Sequence, residues 1–235
     1  MSQNRFTLWY FAIAVLFIVL ENLHFVYPAL IAKALIIPSL MLFYHFSVRG
    51  QYNRFHCLIM FGLFFSFLGD ISLQFSNDDF SFPLASEYLF IGGLASFLFT
   101  QLVYFVAFSL AKGKNAVFTS RLYQTILVVL YGFIMLYYLY RSLGDMRVPV
   151  IAYTVIILLM LLAALNRYGK VNGLSYILVV IGALLFVISD SLVAINKFHM
   201  KINFAGILIM ITYVSAQYLI VLGSIRHNIV NHRKS

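Results

Sequence analysis

A single cysteine, Cys57, is all the thiol this chain carries. One thiol excludes an intrachain disulfide and any cysteine-based metal cluster, and Cys57 reads as a small buried residue. Charge is also scarce. Asp, Glu, Lys and Arg make up 10% of the 235 residues and apolar types 63%, whereas an ordinary globular chain is about a quarter charged and about half apolar. A soluble domain of this size cannot hide so much apolar surface. The sequence contains no Gly-x-Ser-x-Gly nucleophile turn and no Gly-rich phosphate loop after a strand. The six histidines (His24, His45, His56, His199, His227 and His232) fall at the ends of apolar runs or in loops, and none is spaced with another or with a carboxylate as a helical metal site requires. No metal and no cofactor is therefore expected.

What the chain has is long apolar runs separated by short polar clusters. A spanning helix needs about 20 mostly apolar residues. Eight runs qualify: Phe6–Leu23, Val26–Phe46, Phe55–Phe75, Tyr88–Ala111, Leu122–Tyr140, Val148–Leu165, Leu174–Ile195 and Phe204–Ile225. They are too long, and alternate too little, for a closed barrel. The first run follows Arg5 and ends Leu20-Glu21-Asn22-Leu23 without a small-x-small cleavage site, so it reads as a span and not as a leader. The expected fold is all-α: a polytopic transmembrane helix bundle of about eight helices, forming one integral membrane domain over residues 1–235.

The formal net charge of +9 would point to nucleic acid in a soluble protein. Here it marks topology, and no nucleic-acid partner is expected. With eight spans both termini lie on one face, which carries Arg5, Arg49, Arg54, Lys112, Lys114, Arg121, Arg167, Lys170, Arg226, Arg233 and Lys234. The other face carries Arg141, Arg147, Lys197 and Lys201, together with the acids Glu21, Asp78, Asp79, Glu87 and Asp145. The positive-inside rule makes the first face, with both termini, cytoplasmic. That orientation fits a bacterial plasma (inner) membrane or the endoplasmic reticulum, and the minimal loops and tails favour the bacterial one. Related pieces recur in order: Asp70 and Asp190 in the third and seventh runs, Gln101 and Gln217 in the fourth and eighth, Pro28 and Pro149 opening the second and sixth. That order points to a parallel duplication of four helices.

Three ionisable residues fall inside apolar runs: Lys33, Asp70 and Asp190. Such groups are costly in hydrocarbon, face the bundle interior and mark functional sites. At about 1.5 Å of rise per residue, Lys33 lies roughly 10 Å and the two aspartates roughly 8 Å from the non-cytoplasmic end, so all three share one level. Gly62, Ser66, Gly69 and Asp70 make one small, polar stripe, and Gly182, Phe186, Ser189 and Asp190 repeat it. Pro38 removes a backbone donor near Lys33, which would widen a cavity there. Two acids and one base leave one acid without a counter-charge. A neutral acid beside a carboxylate suits acid–base chemistry, and it also suits proton-coupled transport.

The chain resembles the YhhN-type lysoplasmalogenase family of eight-span membrane proteins. The likeness rests on Lys33 with Pro38; Leu68-Gly69-Asp70; Gly93, Phe97, Gln101, Tyr104 and Phe108 at helical spacing; Pro149-Val150-x-Ala152-Tyr153 with Met160; Gly182-Ala183 through Phe186, Ser189-Asp190-Ser191 and Ala194; and Tyr213-x-x-Ala216-Gln217. Many relatives have histidine where Gln101 stands, and proline where Ala34 follows the lysine. The first departure leaves hydrogen bonding, not proton transfer, for position 101.

The resemblance implies hydrolysis of the vinyl-ether bond of a lysoplasmalogen, a lysophospholipid, to a fatty aldehyde and a glycerophospho-base, without metal or cofactor. Asp70 and Asp190 would be the catalytic acid pair. Lys33 would set which acid is ionised or hold the lipid phosphate. Tyr153, Ser189, Ser191, Tyr213, Gln101 and Gln217 would line the substrate site, the two glutamines lying deeper, about 20 Å from the non-cytoplasmic face. The competing reading is a proton- or cation-coupled transporter of a small molecule or lipid that uses the same Asp/Lys cluster. A third is a lipid-binding or assembly protein without chemistry.

Overall fold

The computed structural model describes residues 3–76, 83–111 and 122–227, the side chains of 83–85 excepted. Asp78, Asp79, Lys112, Lys114, Arg121, His232, Arg233 and Lys234 lie outside the described residues. Among the described residues, eight α-helices carry the fold: α1 (Gln3–Asn22), α2 (Val26–Ser47), α3 (Arg54–Phe75), α4 (Pro83–Ser109), α5 (Leu122–Leu139), α6 (Arg147–Leu165), α7 (Gly173–Phe198) and α8 (Ala205–Ile225). Two 3₁₀ turns, Tyr140–Ser142 and Gly144–Met146, join α5 to α6, and no strand occurs among the described residues. Each helix contains a stretch long and apolar enough to cross a membrane. The chain is an integral, multi-pass membrane protein.

Local chemistry sets several of the helix ends. The Asn53 side chain accepts from the backbone N–H of His56 at 3.1 Å and caps α3. Asn172 does the same for α7 through the N–H of Ser175 at 2.7 Å. Pro83 opens α4, where its missing N–H costs no intrahelical bond. Pro38 sits inside α2 without ending it.

The two closest helix pairs are α3 with α4 and α7 with α8. Both depend on glycine. A Cβ at Gly62 would lie 2.2 Å from the Tyr104 ring of α4, and one at Gly182 would lie 2.9 Å from the Ala216 carbonyl oxygen of α8. Between these pairs, α4 packs on α6, while α8 reaches α1, α2 and α3. The α5 helix is peripheral and leans on α6 and α7. Side chains such as Leu8, Phe61, Phe133, Tyr137 and Ile211 cover the outside, as an apolar solvent allows.

Cys57 is exposed, not buried as the sequence reading had it. It shares the outer face of α3 with Phe61, Phe64 and Leu68, opposite the inward stripe of Gly62, Ser66 and Asp70. A single cysteine carries no periodicity of its own, so its side of the helix is set by its neighbours.

The end of the bundle that holds the helix termini Gln3 and Ile225 is closed by a polar knot. Nη2 of Arg226 donates to Oε1 of Gln3 at 3.1 Å, which places the two termini side by side. Arg167, between α6 and α7, is fully buried. Its guanidinium lies over the rings of Phe55 and Phe108, at 5.8 and 5.4 Å from their centroids, and Nη2 donates to Ser175 Oγ at 2.9 Å and to His227 Nδ1 at 3.2 Å. Tyr44 and His56 share a 2.7 Å hydrogen bond close by. Burial pushes Arg167 down to about 10, so it stays charged at neutral pH.

Candidate active site

Asp70 at the end of the α3 stripe and Ser189 and Asp190 at the end of the α7 stripe open into one shared cavity. Seven of the nine residues singled out in the sequence border it: Lys33, Asp70, Tyr153, Ser189, Asp190, Ser191 and Tyr213. Gln101 and Gln217 lie behind its wall. The rest of the lining is chiefly apolar and comes from α3 to α8, including Leu73, Leu94, Met135, Ile157 and Val187.

Each aspartate is held by a tyrosine from another helix. The Tyr213 hydroxyl of α8 donates to Oδ2 of Asp70 at 2.8 Å, and Asp70 is only 4% exposed. The Tyr153 hydroxyl of α6 donates to Oδ2 of Asp190 at 2.5 Å. Gln101 of α4 adds a longer bond to the same oxygen at 3.4 Å. Asp190 is half-buried and faces the cavity. The two acids thus draw on different helices, Asp70 on α8 and Asp190 on α4 and α6.

Around this pair the structure sorts the remaining candidates. Ser191 shares a 2.5 Å hydrogen bond with Tyr131 of α5 at the cavity wall. Ser189 donates to the backbone carbonyl of Ile209 at 3.2 Å and so ties α7 to α8. Gln217 belongs to a deeper network: Tyr104 donates to its Oε1 at 2.9 Å, and its Nε2 donates to Ser66 Oγ at 2.7 Å. Ser66 in turn meets Thr100 at 3.1 Å. These bonds join α3, α4 and α8 beneath the cavity floor.

Lys33 takes a partner that the sequence reading did not name. Its Nζ donates to Oε1 of Gln74 at 3.0 Å, and Nε2 of Gln74 donates to the Glu21 carboxylate at 3.1 and 3.4 Å. Lys33 also lies 5.3 Å from the centroid of the Phe17 ring. Gln74 stands one helical turn beyond Asp70 on the same face of α3, which is the signal that would have found it. Tyr131 was missed as well. It stands among many aromatic residues on a lipid-facing helix, and nothing in its local sequence marks it out.

The fold and cavity define a polytopic membrane protein with two aspartates, one lysine and two tyrosines around a largely apolar pocket. The chain matches the YhhN family over residues 28–224 and belongs to it. It is 30% identical to the human protein named lysoplasmalogenase TMEM86B over 58% of this chain and 54% of that one. It is 29% identical to the bovine protein named lysoplasmalogenase TMEM86A over 71% of this chain and 65% of the relative, and 33% identical to the pig lysoplasmalogenase TMEM86B over 57% and 53%. The match thus spans between half and two thirds of the length of these relatives. No solved structure matches this chain.

Proposed function

We propose that this protein hydrolyses the vinyl-ether bond of a lysoplasmalogen, releasing a fatty aldehyde and a glycerophospho-base. Relatives that carry the name lysoplasmalogenase support the substrate class. The observation that carries the chemistry is the placement of Asp70 and Asp190 on one cavity, each hydrogen-bonded by a tyrosine.

Vinyl ethers are hydrolysed by acid. One member of the pair transfers its proton to the β-carbon of the double bond, and the α-carbon becomes an oxocarbenium carbon. The other member, as carboxylate, faces that cation and takes a proton from the water that adds to it. The hemiacetal then collapses: its hydroxyl proton leaves, the C–O bond to glycerol breaks, and the glycerol oxygen takes up a proton. Carboxylate pairs serve oxocarbenium-like states in glycosidases in the same way. Tyr153 and Tyr213 orient the two carboxyl groups by their hydrogen bonds. Oε1 of Gln101, buried and without a partner among the described residues, is an acceptor next to Asp190 for a water hydrogen. The apolar wall from α4 to α7 takes the alkenyl tail and keeps bulk water from the cation. A lipid reaches the cavity sideways, from the leaflet on the side of the α3–α4 link. By the charge rule for loops that side is the non-cytoplasmic one of a plasma membrane.

The test is aldehyde release from a lysoplasmalogen by purified protein, with Asp70→Asn and Asp190→Asn in parallel. Each variant is expected to lose on the order of a thousandfold in rate, since proton transfer by a placed acid or base contributes about 10²–10⁴. Folded wild-type protein that releases no aldehyde from ethanolamine- or choline-headed substrate sinks the hydrolase and favours proton-coupled transport through the same pair.

A further inference from the structure

Beside the acid pair stands a chain of polar groups that the hydrolysis itself does not use. Lys33 of α2, Gln74 of α3 and Glu21 at the end of α1 are joined in that order by hydrogen bonds of 3.0 and 3.1 Å. Gln74 is buried, whereas Lys33 and Glu21 are half-buried. The buried carboxamide of Gln74 stands between the cation and the anion and holds the two charges at a set spacing. The carboxamide points its oxygen at the cation and its N–H at the anion, and so fixes the polarity of the pair.

We propose that this triad reads a zwitterionic head group: Lys33 takes the lipid phosphate and Glu21 the ammonium. The assignment deepens the lysolipid reading above and rests on it. Three features of the structure support it. Lys33 lines the same cavity as Asp70, so a phosphate on its ammonium lies next to the reacting bond. Glu21 does not line that cavity and is joined to Lys33 through Gln74, as an ammonium is joined to the phosphate through two carbons. Two opposite charges spaced by one carboxamide match the opposite polarity of a phosphate and an ammonium spaced by two carbons. A head group with no ammonium would leave the Glu21 carboxylate without a counter-charge, which gives the site its discrimination.

Lysolipids with a saturated ether link test this without turnover, because they have no double bond to protonate. Binding of the ethanolamine-headed and the glycerol-headed form to full-length protein in lipid nanodiscs is measured for wild type, Glu21→Gln and Glu21→Asp. Wild type is expected to favour ethanolamine about tenfold or more, the worth of one hydrogen-bonded charge. Glu21→Gln is expected to bring the ratio to within about twofold of unity, and Glu21→Asp to retain part of the preference. N-acetylation of the ethanolamine removes the ammonium from the ligand and needs no variant; it is expected to weaken wild-type binding by about the same tenfold. Equal binding of the native and N-acetylated head groups, or a preference unchanged in folded Glu21→Gln, overturns the proposal. Aldehyde release measured on the same preparations separates the two readings. Release without head-group preference removes only the triad's role. Preference lost in Glu21→Gln without any release removes the hydrolysis and leaves the head-group site standing.

Discussion

Tyr153 on α6 and Asp190 on α7 are joined by a 2.5 Å hydrogen bond, the phenol donating to the carboxylate at the edge of the cavity. The bond sets which way Oδ2 faces, and Gln101 supports it from a third helix at 3.4 Å. Removing the hydroxyl leaves a carboxyl group that is free to rotate. Tyr153→Phe is expected to lower kcat for aldehyde release by about 10- to 100-fold, the worth of a hydrogen bond to a charged group, with KM little changed. Steady-state kinetics on the purified variant checks this. A fall in kcat/KM that comes from KM alone would assign Tyr153 to substrate binding instead.

Gly62 and Gly206 make a paired test of the bundle. A Cβ at Gly62 would strike the Tyr104 ring, whose hydroxyl holds Gln217, whereas a Cβ at Gly206 meets nothing within 4 Å. Gly62→Ala is expected to destabilise the protein by about 1–3 kcal/mol through overpacking, and Gly206→Ala to change it by no more than about 0.5 kcal/mol. Thermal unfolding midpoints in detergent measure both. Equal midpoints for the two variants would mean that α3 and α4 are not in close contact.

His227 predicts an acid limb of stability. Burial, with the nearby Arg167 charge and His56, pushes its imidazole from the ordinary 6.5 down to about 4. Its ring stacks on Phe55 at 3.9 Å, and its Nδ1 accepts from Arg167. Above pH 6.5 the folded and unfolded states are both neutral at this group, and it contributes no pH dependence. Between 6.5 and about 4 the unfolded chain takes up a proton that the folded one resists, so stability falls as the pH falls. Unfolding midpoints at pH 7.5 and 4.5 are expected to lie closer together in His227→Asn than in wild type. An unchanged gap would assign the acid sensitivity to other groups.

The charge distribution over the loops predicts a cytoplasmic C-terminus. A fluorescent-protein fusion to Ser235 is expected to fluoresce in a bacterial host, and an alkaline-phosphatase fusion at the same place to be inactive. The reverse pattern would put the acid-pair cavity on the cytoplasmic side and reverse the leaflet from which a lipid reaches it.

Much of this arrangement is legible along the chain because the bilayer restricts what apolar runs can do. Runs of about 20 apolar residues with no partner for their backbone groups except themselves must be helices. Asp70, Asp190 and Lys33 stand out because a charge in such a run needs a reason. The small residues before each aspartate show which side of α3 and α7 faces inward. Helix count, inward stripes and a shared acid site therefore follow from one-dimensional pattern and known rise per residue.

The partners did not follow from pattern, because each depends on how one helix is turned and shifted against another. Lys33 borders the same cavity as the aspartates, as expected, but its hydrogen bond goes to Gln74, which extends the polar chain to Glu21. Arg167 reads as one more loop charge, yet the structure buries it between two aromatic rings. Gln101 and Gln217 occupy corresponding places in their helices, but the first reaches Asp190 and the second holds α3, α4 and α8 together. The sequence by itself determined the membrane as solvent, the helical spans and the inward-facing acids, since those follow from local composition and the cost of charge in hydrocarbon. Only the tertiary structure decided which side chains share a proton or a charge, because hydrogen-bond partners lie on helices far apart in the chain and are chosen by close packing.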